Sequence, residues 1–402
     1  MKYSEKEVLQ YVSEEDVKFI RLAFCDIFGK QKNISIMPSE LERAFRFGIA
    51  IDGSAITGFN SRVHSDLILH PDPTTLSVLP WRPEHGRVVR MFCNITQSDG
   101  ASFGADTRAF LQDAVKKADE MGVSFAFGSE MEFYLFKRDE NGEPTNIPYD
   151  HSGYMDIAPA DKGENVRREI CLYLEQMGIY PESSHHEEGP GQNEIDFRYS
   201  EPLRAADDAI TFKAVVNTVS SASGLYADFS PKPLENKAGN GMHINISARS
   251  KDGGDIMPYI ISGILSHIRE MTVFLNTTEN SYRRFGGYKA PKYVSWSDEN
   301  RSQLIRIPAA EEEHKRAELR SPDPMCNPYI AYAMIIYAGL DGVKNKLPLM
   351  PSRDYNLYDA GREETASLEL IPQNLTEAKD IAAQSEWTLS HITEEIKLSY
   401  LM

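Results

Sequence analysis

The stretch Gly128-Ser129-Glu130-Met131-Glu132-Phe133-Tyr134-Leu135-Phe136 sets two acids inside an otherwise strongly apolar run. Read as a β-strand, it projects Glu130 and Glu132 from one face, because successive side chains alternate across a strand. Two carboxylates side by side repel unless one is protonated or a cation lies between them. An isolated E-x-E is ordinarily a pair of solvated acids on an exposed strand. The apolar flanks argue instead for a buried strand, where unpaired acids are costly and metal ligation is the better explanation.

Other stretches add groups of the same kind. His185-His186-Glu187-Glu188-Gly189-Pro190-Gly191-Gln192-Asn193-Glu194 supplies Glu187 and Glu194, and its Pro190 and Gly191 imply a tight turn that brings both acids to one place. Gly239-Asn240-Gly241-Met242-His243-Ile244-Asn245 offers His243 at a glycine-loosened strand start, and Glu318-Leu319-Arg320 sets an acid and a base on one strand face. Five carboxylates and one histidine suit hard divalent ions, Mg²⁺ or Mn²⁺, better than zinc; taken singly, each motif is better read as a solvated or core group. Arg284, Arg301, Arg306, Arg316 and Arg320 fall within 37 residues, in text too rich in Gly, Pro and aromatics for a plain solvated helix. Guanidinium groups bind phosphate and carboxylate bidentately, although salt bridges to the excess acids would also account for them. Acids for divalent ions plus arginines for phosphates is the pattern of phosphoryl transfer from ATP.

Around this centre the pattern predicts an α+β fold. Strands are expected over 124–136, 194–199 and 242–247, and helices over 165–177, 206–223, 259–275 and 328–340, an antiparallel sheet with helices to one side. A helix capped by Asp106 or Thr107 runs to Gly122. Before it, residues 17–37 read as two alternating strands around a Phe28-Gly29-Lys30 turn, with further strands over 66–69 and 88–95. These patterns divide the chain into a β-rich unit, 1–103, and a larger unit, 104–402. Neither G-x-G-x-x-G after a strand nor G-x-x-x-x-G-K-[ST] occurs, so the two commonest nucleotide motifs are absent.

The 402 residues are 41% apolar, enough for a sizeable core, and 43 basic against 60 acidic residues give a net charge of −17. That balance argues against a nucleic-acid or anionic-membrane binder, both of which need a cationic face. Four cysteines without a C-x-x-C pair fit a reducing compartment. The longest apolar stretch, 329–340, is too short to cross a bilayer, and MKYSEKEVLQ has no apolar h-region. A soluble cytoplasmic protein is the expectation.

The motifs IDGSAI (51–56), GSEMEFYLF (128–136), HHEEGPGQNE (185–194), GNGMHINIS (239–247), NSYRR (280–284), NRSQLIRIP (300–308), RAELRSPDP (316–324) and NLYD (356–359) resemble those of the glutamine synthetase family, class I bacterial and archaeal type, in order and over nearly the whole chain. The resemblance implies an N-terminal β-grasp domain and a C-terminal catalytic domain, in homo-oligomeric rings (a hexamer or dodecamer) with sites between neighbouring subunits. It implies ATP-dependent activation of glutamate, or a related carboxylic acid, as an acyl phosphate that ammonia or an amine attacks. By motif, Glu132, Glu187 and Glu194 would hold one Mg²⁺ or Mn²⁺, and Glu130, His243 and Glu318 a second. Arg301 and Arg306 match arginines on the phosphates and the transferring group, and Arg316, Glu182, Tyr199 and Ser247 match the ATP site. Gly239, Arg284 and Arg320 match positions that hold glutamate, and Asp52 matches the aspartate associated with ammonium.

Four departures stand out. Lys289 falls where the family has a flap glutamate that helps deprotonate ammonium, and the flap lacks a proline before Gly287. Ala238 replaces an asparagine that touches glutamate, and Asn245 replaces the second histidine of an H-x-H pair. The chain stops at Met402, short of typical members, so a C-terminal strap between rings is expected to be reduced. A lysine near the nucleophile site would repel ammonium rather than collect it, so a ligase for another amine or acid is one alternative, and Lys289→Glu is expected to improve ammonium use. A catalytically silent ring-forming homologue is another; the six intact ligand positions speak against it, since buried unpaired acids cost stability. Tyr358 matches a tyrosine that some members adenylylate.

Overall fold

The computed structural model describes residues 3–59, 65–82, 85–309 and 316–402. Its first sheet comprises β1 (Val17–Cys25), β2 (Gln31–Ile36), β3 (Ile49–Asp52), β4 (Asp66–Pro71), β5 (Ser77–Val78) and β6 (Arg87–Gln97), in the order β2-β1-β6-β4-β3 with β5 beside β6. The expected hairpin is present as β1 and β2, from Ile20 opposite Ile36 to Cys25 opposite Gln31. Gly29 takes φ +78° in its turn, a conformation glycine adopts without steric cost. At the sheet centre β6 runs parallel to β1. Two short helices were not anticipated: α1 (Glu5–Glu14) and α2 (Leu41–Phe47). Ser4 and Glu7 close a capping box on α1, which buries Val8 and Val12.

The second sheet comprises β7 (Val123–Arg138), β8 (Pro144–Pro148), β9 (Pro181–His186), β10 (Gln192–Phe197), β11 (Leu225–Asp228), β12 (Met242–Ser250), β13 (Trp296–Asp298), β14 (Ile305–Ile307) and β15 (Ala317–Leu319). Its order is β13-β14-β15-β12-β7-β10-β9, with β8 and β11 also paired to β7. Every pair is antiparallel except β13 with β14. The strand expected over 194–199 lies two residues earlier, because β10 takes its register from β7, with Gln192 opposite Tyr134 and Asp196 opposite Glu130.

Helices α3 (Thr107–Glu120), α4 (Glu164–Gln176), α5 (Pro202–Ala222), α6 (Met257–Leu275) and α7 (Pro328–Asn345) match the predicted helical periods, with boundaries moved by caps. Asp106 caps α3, and Glu201 with Pro202 starts α5 four residues before Ala206. A short turn α8 (Arg362–Thr365) and helices α9 (Leu375–Gln384), α10 (Glu386–His391) and α11 (Glu394–Tyr400) complete the chain. Alternation along β7 decides which side is core. Phe127 stacks on Tyr332 of α7 at 4.5 Å and Phe133 meets Phe212 of α5 edge-on, so the even-numbered acids face the other way. Among the described residues no helix is long and apolar enough to cross a membrane.

A buried polar knot joins the two sheets. Arg108 of α3 donates to Asp207 of α5, to Asp72 and to Asn94 of β6 at 2.8–3.1 Å, and Tyr329 of α7 donates to Asp207 at 2.6 Å. Nearby, Asn327 and Tyr400 both donate to the carbonyl of Ile27. Removing Arg108 leaves Asp207 buried without its cation, a loss of about 3–5 kcal/mol. Arg108→Ala is therefore expected to lower the calorimetric unfolding temperature by several degrees; an unchanged transition would show that the knot contributes nothing net.

Candidate active site

Strand register gathers the acids. Glu194 lies opposite Glu132 and Asp196 opposite Glu130 across β10 and β7, and His243 lies opposite Glu130 across β12 and β7. Asn245, Glu318 and Arg306 line up across β12, β15 and β14. Directly opposed residues project to one side, so a single sheet face carries the whole set. Glu187 joins it from the β9–β10 turn, whose Gly191 adopts φ +68°. His243 Nδ1 sits 3.3 Å from Glu130 Oε2 and 3.7 Å from Glu318 Oε1. Asn245 donates to Glu130 Oε1 at 2.8 Å, and Glu132 Oε2 accepts from the Gly241 amide at 2.8 Å and from Gln192 at 3.1 Å. Arg306 donates to Glu318 at 2.6 Å, Arg320 pairs with its other oxygen, and Arg316 Nε donates to Asn245 at 2.9 Å.

The electrostatics follow from crowding. Burial and the neighbouring Glu187 push the Glu132 carboxyl up to about 8. Burial and adjacent acids raise Glu194 well above the usual range, and burial also raises Glu187. Asp196 rises to about 7 through burial and Glu130. Glu130 is the exception: against its burial, hydrogen bonds with His243 and Asn245 hold it down to about 2. Burial, then Arg320, lowers His243 and keeps the imidazole neutral, the form that ligates metal. Ligand atoms of Glu130, His243 and Glu318 lie within 4.8 Å of one another; so do those of Glu132, Glu194 and His243, and those of His185, Glu187 and Glu194. Acids that repel to this degree, with oxygen donors and one neutral imidazole, fit hard divalent cations.

Two cavities open on this face. The larger, about 1020 Å³, is lined among others by Glu182, Tyr199, Ser247, Met257, Trp296 and Arg316. The smaller, about 510 Å³, is lined by Glu130, Glu132, Glu187, Glu194 and His243, with Gly239, Arg284, Arg301, Arg306 and Arg320. Glu130, Asp196 and Arg316 border both. Glu318, with no exposed side-chain area, stands behind this wall. Gly239 has to be glycine, since a Cβ there would meet Pro231 O at 2.5 Å and Arg284 Cγ at 2.7 Å.

All the sequence-predicted residues therefore line these cavities except Glu318, buried behind their wall, and Asp52. It is exposed on the first sheet, capping the turn at Ser54, and borders neither cavity. Lys289 lines the smaller cavity but is not unpaired: its ammonium meets Glu188 and lies 5.0 Å above the Tyr154 ring. Among the described residues the buried Tyr358 hydroxyl finds no hydrogen-bond partner. The sequence reading missed Asp196, Gln192 and His185. Glu194-Ile195-Asp196 carries the same period-2 signal as Glu130 and Glu132 and would have revealed the first.

Comparison with known proteins identifies the family. The family model of the glutamine synthetase catalytic domain matches residues 104–402, and that of the glutamine synthetase beta-Grasp domain matches residues 16–98. Glutamine synthetase of Methanosarcina mazei is 44% identical over 99% of this chain and 92% of its own length. That of Clostridium saccharobutylicum is 40% identical over 100% and 94%. A solved GmaS/ADP complex superposes with a TM-score of 0.88 at 26% identity, covering 98% of this chain and 93% of that one. Plasmodium falciparum glutamine synthetase, at 22% identity and TM-score 0.88 over 100% and 95%, shares the fold. With the two family models matching residues 16–98 and 104–402 and relatives this similar over nearly their full length, the chain belongs to the glutamine synthetase family.

Proposed function

We propose that the protein is an ATP-dependent glutamate–ammonia ligase, built as a β-grasp domain over 1–103 and a catalytic domain over 104–402. The observation that carries the reading is the pair of adjoining cavities, one bordered by Tyr199, Ser247 and Arg316, the other by crowded acids and arginines, sharing Glu130, Asp196 and Arg316. Glu132, Glu187 and Glu194 hold one divalent ion and Glu130, His243 and Glu318 a second; when bound, such ions neutralise the charge of transferring phosphates. In the larger cavity Tyr199 stacks on the adenine, and Glu182 and Ser247 fix the nucleoside. Arg316 at the shared wall, with Arg301 and Arg306, holds the phosphates toward the smaller cavity. Arg284 and Arg320 grip the carboxylates of glutamate, whose chain lies against Gly239.

Lys289 supports a second reading, an organic amine as acceptor, because an amine with its own contacts depends less on an acid at that position. Pairing with Glu188 cancels much of the repulsion Lys289 would exert on ammonium, and with identities of 40–44% to glutamine synthetases ammonia is the better reading. The test is phosphate release and amide formation with ATP, Mg²⁺ and glutamate across ammonium and a panel of amines. Amide formed faster from an organic amine than from ammonium would overturn the choice; no phosphate release with any acceptor would sink the ligase.

Asp52 borders neither cavity of its own chain, so we propose a ring in which it reaches the site of a neighbouring copy. Asp52→Ala and Glu318→Ala subunits should each be inactive alone, yet recover activity when co-assembled, since one kind of interface then unites two intact halves. Mixed rings as inactive as either parent would contradict the shared site.

A further inference from the structure

Behind the acidic face lies a second charged cluster that no step above uses. Asp150, Asp161, Arg167, His186 and Asn193 are all at most 4% exposed. Three of them present ligand atoms close enough to hold an ion, but protein donors already occupy those atoms. Asp150 Oδ1 accepts from His186 Nε2 at 2.9 Å and from the Gly191 amide at 3.0 Å, and Oδ2 accepts from the Lys162 amide at 3.0 Å. Asp161 accepts from Arg167 and from the Gly163 amide. A site so satisfied has no vacancy for a cation.

What the cluster does is visible in which backbone it touches. His186 and Gly191 flank the turn that carries Glu187, and Asp150 Oδ1 binds both ends. The other ring nitrogen of His186 lies 2.7 Å from the Glu187 carbonyl. Both partners of the ring are acceptors, so the ring donates from both nitrogens and cannot turn without losing one. On the next strand, Asn193 bonds the Gly191 carbonyl at 2.9 Å and is itself held by Arg167 at 2.5 Å. Asn193 immediately precedes Glu194. The two acids of one proposed ion site are thus fixed from behind, Glu187 through His186 and Asp150, Glu194 through Asn193 and Arg167.

We propose that Asp150 and His186 form a staple that positions Glu187, and thereby set the affinity of the ion assigned to Glu132, Glu187 and Glu194. This rests on the two-ion reading above. Such outer partners orient ligands without touching the ion, and losing them typically weakens metal binding about 10- to 100-fold. The experiment is Mn²⁺ titration of the full-length protein without nucleotide, followed by electron paramagnetic resonance, for wild type, His186→Ala and Asp150→Ala, which removes the oxygen that binds both ends of the turn. Wild type should bind two ions; each variant should lose about 10- to 100-fold in affinity for one of them and keep the other. That selectivity is something a general loosening would not produce, and either variant preserves the measurement if the other does not fold. Two ions bound by a variant with wild-type affinities, or both weakened alike, would overturn the staple alone. Failure of wild type to bind two ions would remove the two-ion reading and the staple with it.

Discussion

Glu318→Ala is expected to abolish ATP-dependent phosphate release and to lower the unfolding temperature markedly, whereas Glu130→Ala is expected to do the first at a smaller thermal cost. The difference lies in burial and partners. Glu318 has no exposed side-chain area and neutralises Arg306 and Arg320, the latter also buried. Its loss strands two guanidiniums that were paired, at a cost of about 3–5 kcal/mol. Glu130 keeps 21% of its side chain exposed, so its removal forfeits the bonds to His243 and Asn245 but leaves no buried cation uncompensated. Both carboxylates belong to the trio proposed for the second ion. Losing charge stabilisation at transferring phosphates should cost at least about 100-fold in rate. Turnover read by phosphate release and stability read by calorimetry separate the two effects. Near wild-type turnover of either variant would refute the two-ion site.

The acidic face was legible in the sequence because it rests on a local rule. Glu130 and Glu132 share a face by strand period, and the apolar residues between and after them show that the opposite face is core. Local caps fixed most helices, and the Ser4-Glu5-Lys6-Glu7 box would have placed α1 had it been weighed. What stayed hidden is what depends on distant partners. Nothing near Val17 or Arg87 announces that β1 and β6 pair in parallel, since such pairing is decided by the whole sheet. Nor does Asp150 carry any sign that it will bind both ends of a turn beginning at Glu187. The metal-ligand trios needed four strands in register, and only the resemblance to a known family supplied that registration in advance.

Lys289 shows the same limit and leads to the second large effect. Read alone it is a cation where an acid is expected, and Lys289→Glu would be the repair. The structure supplies the missing partner. Lys289 and Tyr288 both sit at positive φ, +63° and +48°, a conformation that costs non-glycine residues of the order of 1 kcal/mol each. Contacts on three sides hold them there: Glu188 on the Lys289 ammonium, the Asn236 carbonyl on the Tyr288 hydroxyl at 2.9 Å, and Arg320 reaching the Lys289 carbonyl at 3.4 Å. Glutamate at 289 would instead face Glu188 beside Glu187, in a cavity already crowded with acids. Both members of the pair are partly exposed, so screening limits attraction or repulsion to about 1 kcal/mol each way. The swing of about 2 kcal/mol is roughly 30-fold in the population that keeps residues 288 and 289 in this conformation. Lys289→Glu should therefore make ammonium-dependent amide formation worse, and raise the ratio of phosphate released to amide formed as water reaches the activated carboxylate. The charge reversal Glu188→Lys with Lys289→Glu restores the pair and should bring that ratio back toward the wild-type value. Faster amide formation by Lys289→Glu alone, with phosphate and amide still produced one for one, would show that position 289 acts as a bare charge on the incoming amine and that its bond to Glu188 is incidental.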